Sequence, residues 1–411
     1  MADFYDALET RSAAERTQDI AGQLPALLAK AQADSSHYAD TLAGIDPGAV
    51  TRIEDLAELP LLRKSELIDT QQGAPPFGGL ATEPVSAMAR VFQSPGPIYE
   101  VQPRRADFAR FARAMFAAGF RRGELVHNTF SYHFTPAGLA FESGAEALGC
   151  PVFPAGVGQT ELQVRALAAL KPSCYIGTPS FLNIILEKAD EMGADVGTLR
   201  KGLVTAEPLP PSLRASFAER GIDLLQCYGT AELGLVAYET TAMEGLVVDE
   251  GVIVEIVRPG TGEPVPDGEV GEVIVTVMSP EYPLIRFATG DLSAVLAGEC
   301  PTGRTNQRIQ GWLGRADQTT KVRGMFVHPE QVHEVAKRHA GIGRYRLVVT
   351  SNNHRDVMTL HCETGALDES AVAAITETLR EVCKLRGEVA MAEPGALPND
   401  GKVIDDQRDF K

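Results

Sequence analysis

The chain has 411 residues, of which 44% are hydrophobic and 23% charged, a length for roughly two domains and a composition that excludes a largely disordered chain. Gly (39) and Pro (26) are plentiful and there is a single Trp, which points to many turns and short strands and, with no heptad run, away from a coiled coil. The formal net charge of −17 disfavours nucleic acid and anionic membrane surfaces, since both call for a surplus of Lys and Arg, but leaves room for a small anion in a local basic pocket.

The first 70 residues read as helical. LPALLAKAQADSSHYADTL carries apolar residues at helical spacing, IDPGAV punctuates the run, and LAELPLLRKSEL is a Pro-broken connector into a second helix. From about 105 to 240, short apolar runs alternate with amphipathic stretches. FARFARAMFAAGF reads as a helix ending before Arg121-Arg122-Gly123. Cys174-Tyr175-Ile176 is a buried strand, and Thr178-Pro179 caps the helix SFLNIILEKADEMG. GLVTA is the next strand, PPSLRASFAERG the next helix, closed by Gly221, and IDLLQCYG the strand after it. Such alternation argues for parallel strands with crossover helices. Near 245 the texture becomes β-branched, alternating and interrupted by Gly/Pro turns, as in an antiparallel β subdomain. From about 317 a small α+β unit follows, with helices at PEQVHEVAKRH and ESAVAAITETLREVCKL and strands at YRLVVTS and VMTLHCE.

No apolar run approaches the roughly 18 residues of a membrane span, and MADFYDALETRSAAERTQ lacks the basic and apolar regions of a signal peptide. The expected location is cytoplasmic. There the scattered cysteines 150, 174, 227, 300, 362 and 383, without a CxxC pair, read as reduced, packed thiols. The chain holds no GxxxxGK[ST], no GxGxxG after a strand, no HExxH and no GxSxG, and its His residues lack metal-ligand spacing.

Four segments carry chemistry: Gln226-Cys227-Tyr228-Gly229-Thr230-Ala231-Glu232-Leu233-Gly234; Arg286-Phe287-Ala288-Thr289-Gly290-Asp291-Leu292; Gly314-Arg315-Ala316-Asp317, running through Thr320-Lys321-Val322-Arg323-Gly324 to His328-Pro329; and Leu397-Pro398-Asn399-Asp400-Gly401-Lys402-Val403. Taken singly, each is also an ordinary turn or a solvated tail. In this order they resemble the core motifs of the adenylate-forming superfamily. The opening, with its helical Tyr segment and LP-x-x-x-K-x-x-L, together with Thr178-Pro179-Ser180 and Ala206-Glu207-Pro208, is most similar to phenylacetate-CoA ligases.

The resemblance implies an α/β fold: a large N-terminal domain over 1–316 with mixed and parallel sheets and a β subdomain at 245–300, and a small mobile α+β C-terminal domain over 317–411. It also implies an AMP-forming acyl-CoA ligase that uses ATP and Mg²⁺ to make an acyl adenylate from an aryl or arylacetic acid, then transfers the acyl group to CoA. Joining a carboxylate to a phosphate brings two anions together, so cations and aligned donors are needed. By resemblance, Lys402, Thr230 and Glu232 are catalytic, with Glu232 holding Mg²⁺. Ser94, Gly96, Ala206, Glu207, Pro208, Tyr228, Gly229, Thr230, Asp291 and Arg315 are expected to bind nucleotide, Asp291 at the ribose. Asp317 matches a hinge about which the C-terminal domain rotates, carrying Lys402 away and bringing the CoA-binding residues Lys321, Arg323 and Gly324 toward the site. Tyr132, His133, Phe134, Phe141 and Ala231 fall where the family builds its acyl pocket, although the aromatic stretch reads equally as a core strand and helix start, and His133 as a satisfied histidine.

Two departures stand out. The family's Ser/Thr/Gly-rich phosphate loop ending in Gly-Lys-Pro is here Phe92-Gln93-Ser94-Pro95-Gly96-Pro97-Ile98-Tyr99, whose prolines remove backbone donors. Some relatives hold zinc in the β subdomain, but Cys300-Pro301-Thr302-Gly303-Arg304 supplies one cysteine and Leu246-Val247-Val248-Asp249 no histidine, so no zinc is expected. The other readings left open are an adenylating enzyme serving a carrier-protein thiol or an amine, and a degenerate paralogue that only binds nucleotide or acyl-CoA. Expected partners are small molecules, with no nucleic acid and no membrane. A homodimer is compatible with the family.

Overall fold

The computed structural model describes residues 3–94, 97–316, 318, 320–322, 325–352, 355–365 and 369–408. The chain forms two compact units. The first comprises Met1–Val254, Ile274–Ala288 and Val295–Trp312, and the second Glu255–Val273, Thr289–Ala294 and Leu313–Lys411. The expected boundary residue Asp317 lies outside the described residues, and the 245–300 region is divided between both units.

A nine-stranded sheet dominates the first unit. Its order is Val295–Leu296, Arg308–Ile309, Leu246–Val248, Gly234–Glu239, Asp223–Thr230, Lys201–Val204, Cys174–Gly177, Val126–Asn128, Val152–Pro154. From Val152–Pro154 to Asp223–Thr230 the strands pair in parallel, and from there to Val295–Leu296 antiparallel. Parallel neighbours need crossovers, which Ala137–Leu148, Thr160–Leu170, Pro179–Met192 and Pro211–Glu219 supply. Every residue of Cys174–Gly177 is buried, as a strand covered on both faces requires.

The helix Pro179–Met192 shows how local signals act. The Thr178 hydroxyl accepts from the Phe181 amide at 3.3 Å, proline opens the first turn, and Gly193 ends it at φ 58°. Its buried stripe of Leu182, Ile185, Leu186 and Ala189 packs with Tyr175, Val204 and Leu224, each large apolar side chain contributing about 1.5–3 kcal/mol of burial.

Two expectations shift. The helix foreseen in FARFARAMFAAGF starts only at Phe111 and runs to Ala117, because Arg110 has φ +66° and cannot join it. The N-terminal region is helical over Ala13–Asp34 and Ser36–Thr41, then continues as short 3-10 turns and the strand Leu62–Arg63 before the helix Leu67–Gly73.

In the second unit, Glu388–Ala392, Arg355–Glu363, Tyr345–Asn352 and Ile404–Asp406 form a four-stranded sheet in that order. The helices Pro329–Lys337 and Glu369–Cys383 cover it around Val332, Val335, Leu347, Leu360, Ile375 and Leu379. Thr320–Val322 and Met325–Val327 make a separate hairpin, and Asp291 and Leu292 pair antiparallel with Arg315 and Gly314. Among the described residues no helix is long and apolar enough to cross a membrane.

Candidate functional site

In the first unit the strand Asp223–Thr230 delivers Tyr228, Gly229 and Thr230 to a turn, with Ala231 and Glu232 following. The Thr230 hydroxyl accepts from the Leu233 amide at 3.2 Å, holding the turn closed. The Glu232 side chain is 2% exposed, and the Lys64 ammonium lies 2.9 Å and 3.1 Å from its two oxygens. Lys64 reaches it because Arg286, itself buried, donates to the carbonyls of Ala57 (3.1 Å) and Leu59 (2.7 Å), and because Leu62–Arg63 pairs in parallel with Phe287 and Ala288. From the other side, the Arg110 guanidinium donates to the carbonyls of Leu233 and Leu235 and to Asp249 at 2.9 Å. The left-handed backbone of Arg110 is therefore held by three bonds that fasten this turn.

The stretch aligned with the phosphate loop is a hairpin, Arg90–Ser94 with Ile98–Gln102, in register Ser94↔Ile98. Ser94 is buried and donates its hydroxyl to Glu100 Oε1 at 2.5 Å, so the hydroxyl expected at a phosphate serves a carboxyl group instead. Gly96 lies outside the described residues. Glu100 is buried, and its Oε2 has no partner among the described residues. Burial above all raises its pKa to about 7; the Ser94 bond and the Lys64 charge pull it down, and the Glu232 charge pushes it up.

The Thr178-Pro179-Ser180 and Ala206-Glu207-Pro208 segments meet. The Ser180 amide donates to Glu207 Oε1 at 2.6 Å, while the Thr205 hydroxyl donates to the Cys227 carbonyl at 2.7 Å, tying the segment to the strand that ends at Thr230. Ala206 sits at φ +74°, and Ala206 and Pro208 are exposed. Tyr228 is half-buried.

The expected acyl-pocket residues separate. Phe141 is 2% exposed and stacks on Phe111 (3.8 Å) and Phe130 (4.9 Å), in line with the core reading of this aromatic stretch. Tyr132 is half-buried, donating to Glu142 at 2.7 Å and accepting from Asn128 at 2.9 Å; burial and the Glu142 carboxylate raise its pKa. His133 is exposed. Phe134 is 76% exposed at φ +60°, its carbonyl accepting from the Gln93 amide at 2.9 Å.

In the second unit Asp291 is buried and accepts from Arg315 at 2.8 Å; the Arg315 side chain is half exposed. A Cβ on Gly290, at φ +74°, would lie 2.8 Å from Arg315 Nη2 and would push that guanidinium aside. The Lys402 ammonium is half exposed and lies 3.3 Å from Asp405. Burial alone would raise the Asp405 pKa, but bonds from Gln407 and Lys402 and the charges of Lys402 and Arg346 hold it below the ordinary value. Gly401, at φ +70°, packs on Val270 and on Leu292, the residue after Asp291, so this unit brings the Lys402 segment against the strand that carries Asp291. Of the expected CoA-binding residues, Lys321 lies in the strand Thr320–Val322, while Arg323 and Gly324 lie outside the described residues, as does Asp317.

Among the described residues no group of three or more His, Cys, Asp or Glu is placed to hold a metal. The Cys300 sulfur lies 3.1 Å from the Thr302 hydroxyl, and Arg304 lies 3.2 Å from the buried Glu9. Sequence reading missed Lys64 and Glu100 as site residues. Lys64 is the lysine of LP-x-x-x-K-x-x-L, to which no role was attached, and Glu100 carries no local signal.

The AMP-binding enzyme family matches residues 107–279, and the AMP-binding enzyme C-terminal domain matches residues 324–408. The chain is 33% identical to the phenylacetate-coenzyme A ligase of Aromatoleum evansii over 336 residues, 78% of this chain and 74% of that protein. It is 32% identical to the phenylacetate-coenzyme A ligase of Escherichia coli K12, over 83% of this chain and 79% of that protein. The solved open conformation of 2-hydroxyisobutyryl-CoA ligase, in complex with 2-HIB-AMP and CoA, superposes with a TM-score of 0.72 at 26% identity, covering 95% of this chain and 90% of that one.

Proposed function

We propose an acid substrate and a division of labour for this chain, which belongs to the AMP-binding, adenylate-forming enzyme family, in its phenylacetate-CoA ligase group. It is an ATP-dependent, AMP-forming acid–CoA ligase. The acid is an aryl or arylacetic acid. The observation that carries this reading is Phe134, a large aromatic side chain 76% exposed on a left-handed backbone. Both features are unfavourable without a ligand and gather at functional sites. A flat aromatic acid gives such a ring an offset-stacking partner. Tyr132, two residues earlier and anchored by Glu142 and Asn128, supports the same choice, as do the phenylacetate ligases among its relatives.

In the first half-reaction the acid's carboxylate attacks the α-phosphate of ATP, a P–O bond forms, and pyrophosphate leaves. In the second, the CoA thiol attacks the acyl carbon and AMP leaves. Lys402 offsets the negative charge shared by carboxylate and α-phosphate in the first step. Thr230 supplies a hydroxyl to a phosphate oxygen, Asp291 accepts from the ribose hydroxyls, Arg315 balances charge beside ribose or α-phosphate, and Tyr228 with the Ala206-Glu207-Pro208 backbone flanks adenine. Magnesium bound through substrate phosphates needs only one or two protein carboxylates. Glu232 fits that need: its carboxylate follows the turn that carries Thr230 and already faces a cation, the Lys64 ammonium at 2.9 Å. Bound there, Mg²⁺ would offset the charge of the phosphates. Lys64 would supply an ammonium to phosphate oxygens, in a chain whose Pro95 and Pro97 have no N–H to donate.

A panel of acids incubated with ATP, Mg²⁺ and CoA, read by pyrophosphate release and thioester formation, tests this reading. Aryl and arylacetic acids should show the highest kcat/KM, and Phe134→Ala should raise KM for the acid more than KM for ATP. A preference for short aliphatic acids, or transfer to an amine in place of CoA, would overturn it.

A further inference from the structure

The segment bearing Lys402 has no regular structure of its own until the strand Ile404–Asp406 begins, yet a lysine that must meet two anions needs a fixed backbone. One side chain grips it at three main-chain groups. Gln318 Nε2 donates to the Gly401 carbonyl at 2.8 Å, while Gln318 Oε1 accepts from the amides of Val403 and of Ile404, the latter at 2.8 Å. One amide thus uses both lone pairs of its oxygen and one N–H on the main chain immediately before and after Lys402. The supports around it are weaker or point elsewhere. Asn399 makes two 3.3 Å bonds, from the Val270 amide and to the Gly268 carbonyl, and Asp400 accepts from the Lys402 amide at 3.1 Å and pairs with Arg346. On the far side of Lys402 the Leu347 amide donates to the Val403 carbonyl at 2.8 Å, which ties that oxygen to the sheet and leaves the amides of Val403 and Ile404 to Gln318.

We propose that Gln318 is a positioning residue for adenylation: it fixes the backbone on both sides of Lys402 and so aims the ammonium, without itself touching a substrate. Gln318 follows directly on Asp317, the residue that matches the family hinge, so the residue gripping Lys402 is also the first beyond that point. The proposal rests on the assignment of Lys402 to the first half-reaction and adds a residue to which neither motif nor resemblance gave a role. Its physical content is that a side-chain amide in three main-chain bonds cannot be replaced by an apolar group of similar size without freeing the segment.

The test compares the full-length protein with Gln318→Leu, which removes donor and acceptor, and with Gln318→Glu, which keeps the acceptor and loses the donor. Adenylation is followed by ATP–pyrophosphate exchange with the best acid of the panel, and the second half-reaction by thioester formation from supplied acyl adenylate and CoA. For Gln318→Leu, kcat for exchange should fall at least about tenfold with KM for ATP little changed, while thioester formation stays within about twofold. Gln318→Glu should recover part of the lost exchange. Amide hydrogen exchange, read without any substrate, should accelerate at Val403 and Ile404 in Gln318→Leu and not at the helix Glu369–Cys383. Unchanged protection at Val403 and Ile404 would overturn the grip. So would an equal fall in both half-reactions, or no fall in either. If the unmodified protein exchanges pyrophosphate with no acid, the enzymatic reading fails, and the hydrogen-exchange result still decides whether Gln318 holds the segment.

Discussion

Glu100 offers the sharpest energetic test, because its cost follows from where it sits. Its carboxyl is 3% exposed, one oxygen has no partner among the described residues, and burial with the Glu232 charge raises its pKa from the ordinary 4.5 to about 7. A folded value above the unfolded one means that the native state binds the proton more tightly. The stabilisation this provides is complete below about pH 4.5 and is lost as pH rises through about 7. At 1.36 kcal/mol for each pKa step, the loss amounts to about 3 kcal/mol by pH 8 to 9, a sizeable fraction of a typical domain's stability. Glu100→Gln carries the shape of the protonated form at every pH. Urea denaturation of both proteins between about pH 5 and pH 9 should therefore give nearly equal stabilities at the acid end, with the variant ahead by about 3 kcal/mol at the alkaline end. Parallel profiles, with the same difference at every pH, would refute the reasoning, because they would show Glu100 ionising as readily in the fold as in the unfolded chain.

Two further outcomes follow from the site assignments. Asp291→Ala removes a charged acceptor worth about 1.5–3 kcal/mol and should weaken ATP binding about 10- to 100-fold by calorimetric titration; unchanged affinity in a folded variant would make Asp291 no more than a partner for Arg315. Lys402→Ala should lower pyrophosphate exchange by a factor of about 10² to 10³, while thioester formation from supplied acyl adenylate persists; an equal loss in both half-reactions would remove Lys402 from its assigned step.

Much of this protein is local and could be read from the chain alone. Cys174–Gly177 declares a strand by its unbroken apolar run, Thr178-Pro179 starts a helix because a side-chain acceptor meets an orphan amide, and Gly193 stops it because a left-handed residue suits glycine. The order of the Tyr228–Glu232, Asp291, Arg315 and Lys402 segments was equally legible, since each is a short turn at a strand end or between strands. What the linear chain left undecided depends on partners far apart along it. Lys64 meets Glu232 across 168 positions, and the seating of Arg286 on Ala57 and Leu59, with the pairing of Leu62–Arg63 on Phe287 and Ala288, brings them together. The motif containing Phe141 suits a pocket wall as well as a core, and its burial against Phe111 and Phe130 depends on rings brought in from other segments. Glu100 looks like any strand glutamate until the hairpin buries it beside a second carboxylate, and Gln318 like any polar loop residue until the chain returns 83 positions later with Gly401. Propensity and capping act within a few residues, so they are written where they act. Burial, ion pairing and the satisfaction of main-chain groups are properties of surroundings that exist only once the chain has folded.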